Sequence, residues 1–137
     1  MADIFSKEKR SEIMSLIRPK GTKPELEIFR YLRRERIHFQ KHYRRVVGSP
    51  DIALPRRKIA VFVDGDFWHG WKFHLWQKKL STAYWRPKIE ANIRRDKRNF
   101  ARLRRNGWKV MRVWEHDLRP RKREATLEKV KRFLQDA

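Results

Sequence analysis

The order of apolar patterns in this 137-residue chain predicts an α/β fold, a central mixed β-sheet flanked by helices. Three observations predict it. Ile59-Ala-Val-Phe-Val63 is continuously apolar, as expected of a central strand covered on both faces. Asp51-Ile-Ala-Leu54 runs just ahead of it, with Pro55 to Lys58 as the turn of a hairpin. Helical periodicities stand before and after this pair, so helices are expected to pack on the sheet. The length fits one domain, residues 1–137, with a single modest core.

Taken in order, Ser6 to Ile17 carries Ile13, Met14 and Ile17 at helical spacing and breaks at Arg18-Pro-Lys-Gly21, which predicts a short first helix. Thr22-Lys-Pro-Glu25 reads as a capping box opening a second helix to about Glu35. Phe39 to Val47 looks extended, and Gly48, Ser49 and Pro50 mark a turn before the hairpin. From Gly65 to about Ala83 the chain is irregular and aromatic, with Phe67, Trp68, Trp71, Phe73 and Trp76, and is read as a loop. A long helix follows from about Trp85 to Asn106, closed by Gly107 where a left-handed residue commonly ends a helix. Trp108 to Trp114 alternates as a further strand, and Ala125 to Leu134 makes a final helix with Leu127, Val130 and Phe133 inward.

Charge narrows the function classes. Thirty-seven Lys and Arg against 16 Asp and Glu give a formal net charge of +21, spread along the whole chain. Each phosphate that such a surface neutralises releases condensed counterions, so a nucleic acid is the expected partner and binding should depend steeply on salt. Composition alone leaves a ribosomal or histone-like binder and a nucleic-acid enzyme both open. No helix carries the low-charge apolar stripe that would hold the chain on a lipid surface. The absence of cysteine excludes disulfides and thiolate metal sites. With no apolar run of spanning length and no hydrophobic stretch in MADIFSKEKR, a cytoplasmic location is expected.

The strongest chemical feature is Pro50-Asp51 followed by Asp64-Gly65-Asp66 across the hairpin. Antiparallel pairing about Arg56 and Arg57 brings Asp51 opposite Phe62 and Val63, with Asp64 beside it. Two like charges held that close disfavour ionisation unless a hard divalent cation bridges them, and Mg²⁺ is the economical choice. Such a cation polarises a phosphoryl oxygen, as phosphodiester hydrolysis requires. The alternative is that both residues simply cap turns. Asp96 falls in the apolar stripe of Ile89, Ile93, Phe100 and Leu103, where it serves either catalysis or a pairing with a core arginine. Glu25 shares a face with Phe29 and Leu32, although the capping box also explains it. His69, a few residues beyond Asp64, is placed to act as a general base or acid. Beside it, Phe67 and Trp68 suit stacking on bases, against the plainer reading that one of them packs into the core.

These residues resemble the very short patch repair DNA mismatch endonucleases, relatives of the restriction-endonuclease-like nucleases. The likeness covers Arg10-Ser-Glu-Ile-Met14, Lys20-Gly-Thr-Lys-Pro-Glu25, Pro50-Asp51, Val61 to Gly70, Tyr84-Trp85, Arg95-Asp96 and Gly107 to Glu115. The resemblance implies a restriction-endonuclease-like core and a nick in double-stranded DNA 5′ to the thymine of a T:G mismatch. It implies Mg²⁺ held by Asp51 and the backbone carbonyl of Val63, with His69 as general base and Glu25 as its orienting neighbour. Asp64 stands at the family's second polar site position, and Asp96 looks like its further acidic residue. Phe67, Trp68 and Trp85 look like the wedge that opens the base stack from the major groove, and Met14 like its minor-groove counterpart. A monomer acting on nucleoid DNA is implied as well.

Two departures stand out. The general nuclease pattern has Lys two residues after the second acid, where this chain has Asp66, so proton transfer would rest on His69. Family members commonly carry a structural zinc after the wedge, and without cysteine none is expected here. Aromatic packing by Trp71, Phe73 and Trp76 is the preferred support for that loop, ahead of a replacement metal site from Asp66, His74 and His116. The competing readings are a homing or phage-type nuclease sharing the core, and a non-catalytic basic DNA-binding protein.

Overall fold

The structure, a computed structural model, describes residues 23–66 and 86–136. The helix expected over Ser6 to Ile17 and most of the aromatic loop, with Met14, Phe67, Trp68, His69, His74 and Trp85, lie outside the described residues. Helix α1 (Lys23–Arg34) is followed by β1 (Gln40–Lys41), β2 (Ile52–Leu54), β3 (Ile59–Asp64), α2 (Arg86–Arg105), β4 (Lys109–Trp114) and α3 (Arg123–Asp136). The strands form a sheet in the order β1-β2-β3-β4. The pairs β1/β2 and β2/β3 are antiparallel and β3/β4 is parallel, so the sheet is mixed, as expected.

Every residue of β3 is buried, because helices cover both of its faces. Ile59, Val61 and Val63 pack with Ile28, Phe29 and Leu32 of α1 and with Leu127, Val130 and Leu134 of α3. Ala60 and Phe62 face the other way, toward Leu103 and Phe100 of α2, with the Phe62 and Phe100 rings 4.8 Å apart. Each fully buried aliphatic side chain of this kind stabilises the fold by about 1.5–3 kcal/mol. On α3, Leu134 takes the buried position and Phe133 packs against the core only in part.

The hairpin turn is a single 3₁₀ turn, Pro55–Arg57, closed by Lys58 in a left-handed conformation. It sets the register Ile52↔Val61, Ala53↔Ala60 and Leu54↔Ile59, which places Asp51 next to Phe62 and Val63. The extended segment expected over Phe39 to Val47 is shorter than its pattern implies. It pairs regularly for only two residues, because His42 adopts a positive φ of 48°. The amides of His42 and Tyr43 still donate to the carbonyls of Asp51 and Pro50, at 3.0 and 2.9 Å. The chain reverses again through Gly48 (φ 81°) and Ser49 (φ 47°) and delivers Asp51 to the end of the sheet. Helix α2 ends as expected at Gly107 (φ 85°), and the amide of Trp108 donates back to Leu103 at 3.0 Å.

Candidate active site

The last β2/β3 pair is Ile52 with Val61, so Val63 lies beyond the ladder and its amide needs another acceptor. Asp51 supplies it: Val63 N donates to Asp51 Oδ2 at 2.7 Å. The carboxyl is 8% exposed. Burial, first of all, pushes its pKa from 3.8 to about 9, helped by a hydrogen bond with Glu25 and by the negative charges of Glu25 and Asp64, while the Val63 amide pulls it down. A divalent cation would relieve that cost by favouring the ionised form.

Glu25 comes from the first turn of α1, on the same face as Ile28 and Phe29, and is 1% exposed. Its Oε2 lies 3.1 Å from His42 Nε2. The side chain therefore points into the site, beyond the capping role its spacing implies. The imidazole is held edge-on against Phe29, with centroids 5.8 Å apart. Glu25, His42 and Asp51 each offer a ligand atom, all within 4.8 Å of one another. Two carboxylates and an imidazole suit a divalent cation, and the imidazole widens the choice from Mg²⁺ toward Mn²⁺. Sequence reasoning missed His42, because it enters the cluster through a left-handed backbone that no periodicity reveals.

Asp64 and Asp96 meet on the other side of the cleft through a shared arginine. Arg112 on β4 donates from Nε to Asp64 Oδ2 at 2.8 Å and from Nη2 to Asp96 Oδ2 at 2.7 Å. Its guanidinium lies between two rings, 4.0 Å from the Trp114 centroid and 5.2 Å from that of Phe100. The core arginine that Asp96 called for is thus Arg112, and the same cation holds Asp64. Sequence reasoning did not single out Arg112; its signal was a charged residue in the middle of an otherwise apolar alternating strand.

Between these groups opens a cleft of about 370 Å³, bordered by Ser49, Asp51, Asp64, Arg95, Asp96 and Asn99. A second, shallower groove of about 500 Å³ is lined by Lys41, His42, Arg44 and Arg45. His42 thus belongs both to the buried cluster and to a basic surface. Farther along, Asp66 Oδ1 lies 2.8 Å from His116 Nδ1, and the His116 ring stacks near Trp114 with centroids 6.1 Å apart. Of the weaker metal set weighed from the sequence, these two residues are paired with each other, and His74 lies outside the described residues.

A mixed sheet covered by helices on both faces, with acidic side chains gathered where its central strands end, is the arrangement of a restriction-endonuclease-like nuclease. The profile of the family described as DNA mismatch endonuclease Vsr matches residues 2–77. A Type II nicking enzyme of Neisseria meningitidis serogroup C is 36% identical over 136 residues, covering 98% of this chain and 91% of the relative. One from Xanthomonas oryzae pv. oryzae is 40% identical over 119 residues, 86% of this chain and 88% of the relative. The DNA mismatch endonuclease Vsr of Escherichia coli strain K12 is 31% identical over 138 residues, 98% of this chain and 88% of the relative. The chain belongs to the Vsr endonuclease family, and its activity is that of a DNA nicking endonuclease.

Proposed function

We propose that this protein nicks one strand of duplex DNA at a T:G mismatch by Mg²⁺-dependent phosphodiester hydrolysis. The observation that carries the proposal is the buried Asp51 carboxyl, pushed up to about 9 and grouped with Glu25 and His42 at the mouth of a cleft. A buried acid with that pKa is a poor general base but a good cation ligand once its proton is displaced. Asp51 would hold the ion, with Glu25 and His42 within reach and the Val63 carbonyl as the backbone ligand the resemblance implies. When bound, the ion supplies Lewis-acid polarisation of a phosphoryl oxygen and makes nearby water more acidic.

The remaining steps belong to the chain's own residues. Glu25, steadied by His42, orients the proton-transfer partner that the resemblance assigns to His69. His69 accepts the proton of the attacking water. Asp64 and Asp96 line the opposite wall, and Arg95 with Lys41, Arg44 and Arg45 takes the phosphodiester backbone. Phe67, Trp68 and Trp85 insert into the stack beside the mismatch, opposed by Met14, which makes an unstacked T:G step cheaper to bind than a paired one. We read the protein as a single-domain monomer that works in the cytoplasm on nucleoid DNA.

Cleavage of a T:G duplex and of its fully paired twin, each with Mg²⁺ or with chelator, tests this reading. Nicking of the T:G duplex alone, and only with metal, is expected. Equal cutting of both duplexes would point to a homing or phage-type nuclease, and salt-sensitive binding without cutting to a DNA-coating protein.

A further inference from the structure

His42 stands where the basic groove meets the buried cluster, and its backbone is held there at a cost. The residue takes a φ of 48°, a left-handed conformation that crowds every side chain. Main-chain bonds keep it in place, His42 N donating to the Asp51 carbonyl at 3.0 Å and Tyr43 N to the Pro50 carbonyl at 2.9 Å. Glycine would make the same turn more easily, so the turn alone does not account for a histidine. The ring does. It is 24% exposed and lines the groove of Lys41, Arg44 and Arg45, while its Nε2 lies 3.1 Å from Oε2 of Glu25, which is 1% exposed. Phe29 meets the imidazole edge-on and limits its rotation. Glu25 in turn is hydrogen-bonded to Asp51. A continuous path therefore runs from the basic surface through the imidazole and Glu25 to the buried acid. Glu25 has other partners, Asp51 among them, so loss of the imidazole would not set it free. It would remove the contact on Oε2 that fixes which way the carboxylate is turned.

We propose that His42 is a positioning residue for the nick: it orients Glu25 from within the basic groove and so ties the seat of the DNA backbone to the acid cluster. The proposal rests on the reading of Glu25 as a residue of the nicking site. It separates His42 from Lys41, Arg44 and Arg45, whose charges serve affinity, and assigns it to the rate of the bound complex.

His42→Gln and His42→Gly, made in the full chain, test it. Gln keeps an N–H donor at similar reach without the ease of a left-handed backbone, and Gly does the reverse. The measurements are single-turnover nicking, at saturating protein, of the duplex that the wild type cuts, and DNA affinity by fluorescence anisotropy. Thermal melts show that each variant is folded at the assay temperature. His42→Gly should slow nicking by about ten-fold or more with affinity within about three-fold of wild type, and His42→Gln should stay within about three-fold of the wild-type rate. The opposite order, with Gly nicking faster than Gln, would make His42 a turn residue and overturn the proposal. A fall in affinity and in its salt slope, with the saturated rate unchanged, would make it a phosphate contact and overturn it as well. On a Glu25→Gln background the loss from His42→Gly should shrink to about two-fold or less, because the pair acts as a unit; fully additive losses would overturn the route through Glu25. If Glu25→Gln by itself nicks at the wild-type rate, the reading of Glu25 fails and this proposal with it. Should Glu25→Gln not fold, the order of the His42 variants decides.

Discussion

Asp51 is where backbone, burial and charge meet. Its carboxyl is protonated more readily in the folded chain than in the unfolded one, so without metal the folded state binds the extra proton. That contribution to stability is complete below the ordinary value of 3.8 and is lost as pH rises toward about 9. Metal-free protein should therefore become less stable across this window, and Asp51→Asn should flatten the dependence and raise the melting temperature at neutral pH by roughly 3 °C or more. Scanning calorimetry in chelator at several pH values checks both; a profile unchanged by the substitution would contradict the assignment. Mg²⁺ affinity should rise with pH over the same range, because the ion displaces the proton. His69 carries a kinetic prediction: His69→Ala should slow single-turnover nicking by roughly 10² to 10⁴ if it is the base, and a loss of only a few-fold would move that role elsewhere. Asp51, Glu25, Asp64 and Asp96 were legible as candidate site residues because an acid on an apolar face or at a strand end is costly unless it has a task. His42 and Arg112 were not, because the value of each lies in partners that are 17, 16 and 48 residues away in sequence.

At the level of elements, the turn ahead of Asp51 is as constrained as the residue it delivers. A Cβ on Gly48 would stand 3.0 Å from the Phe62 ring, at a φ of 81° that disfavours any side chain. Gly48→Ala should destabilise by roughly 1–2 kcal/mol or more and depress nicking along with stability, read from denaturant melts and rates on the same preparation. No change in either would mean the turn has room to relax. The hairpin was readable because its register follows from a continuous apolar run and a short proline-led turn. Helix α2 was readable by its periodicity and its closing glycine. The short β1 was not, since the apolar residues of Phe39 to Val47 serve packing rather than pairing: Phe39 stacks on Phe29 at 5.5 Å, and Val46 and Val47 rest against the Phe62 cluster. Alternation records which side chains are buried, and only indirectly whether the backbone is in a ladder.

For the molecule as a whole, the proposed function has the net charge of +21 set affinity and the acidic cleft set chemistry, two roles that salt separates. Binding of any duplex should weaken linearly in log–log form with added salt, with a slope of about −0.9 for each phosphate contacted. Lys41, Arg44 and Arg45 should each contribute about one unit to that slope when replaced by alanine. Among the described residues no helix is long and apolar enough to cross a membrane, and the layered α/β/α arrangement leaves the basic groove and the acidic cleft open to a polyanion. Single-turnover nicking of a T:G duplex by Asp51→Asn, beside a gel-shift titration of the same variant, reaches the core of this picture. Cleavage should vanish in Mg²⁺ while DNA affinity stays within about three-fold of wild type. Nicking at the wild-type rate would show that cleavage does not depend on the buried acid of the hairpin.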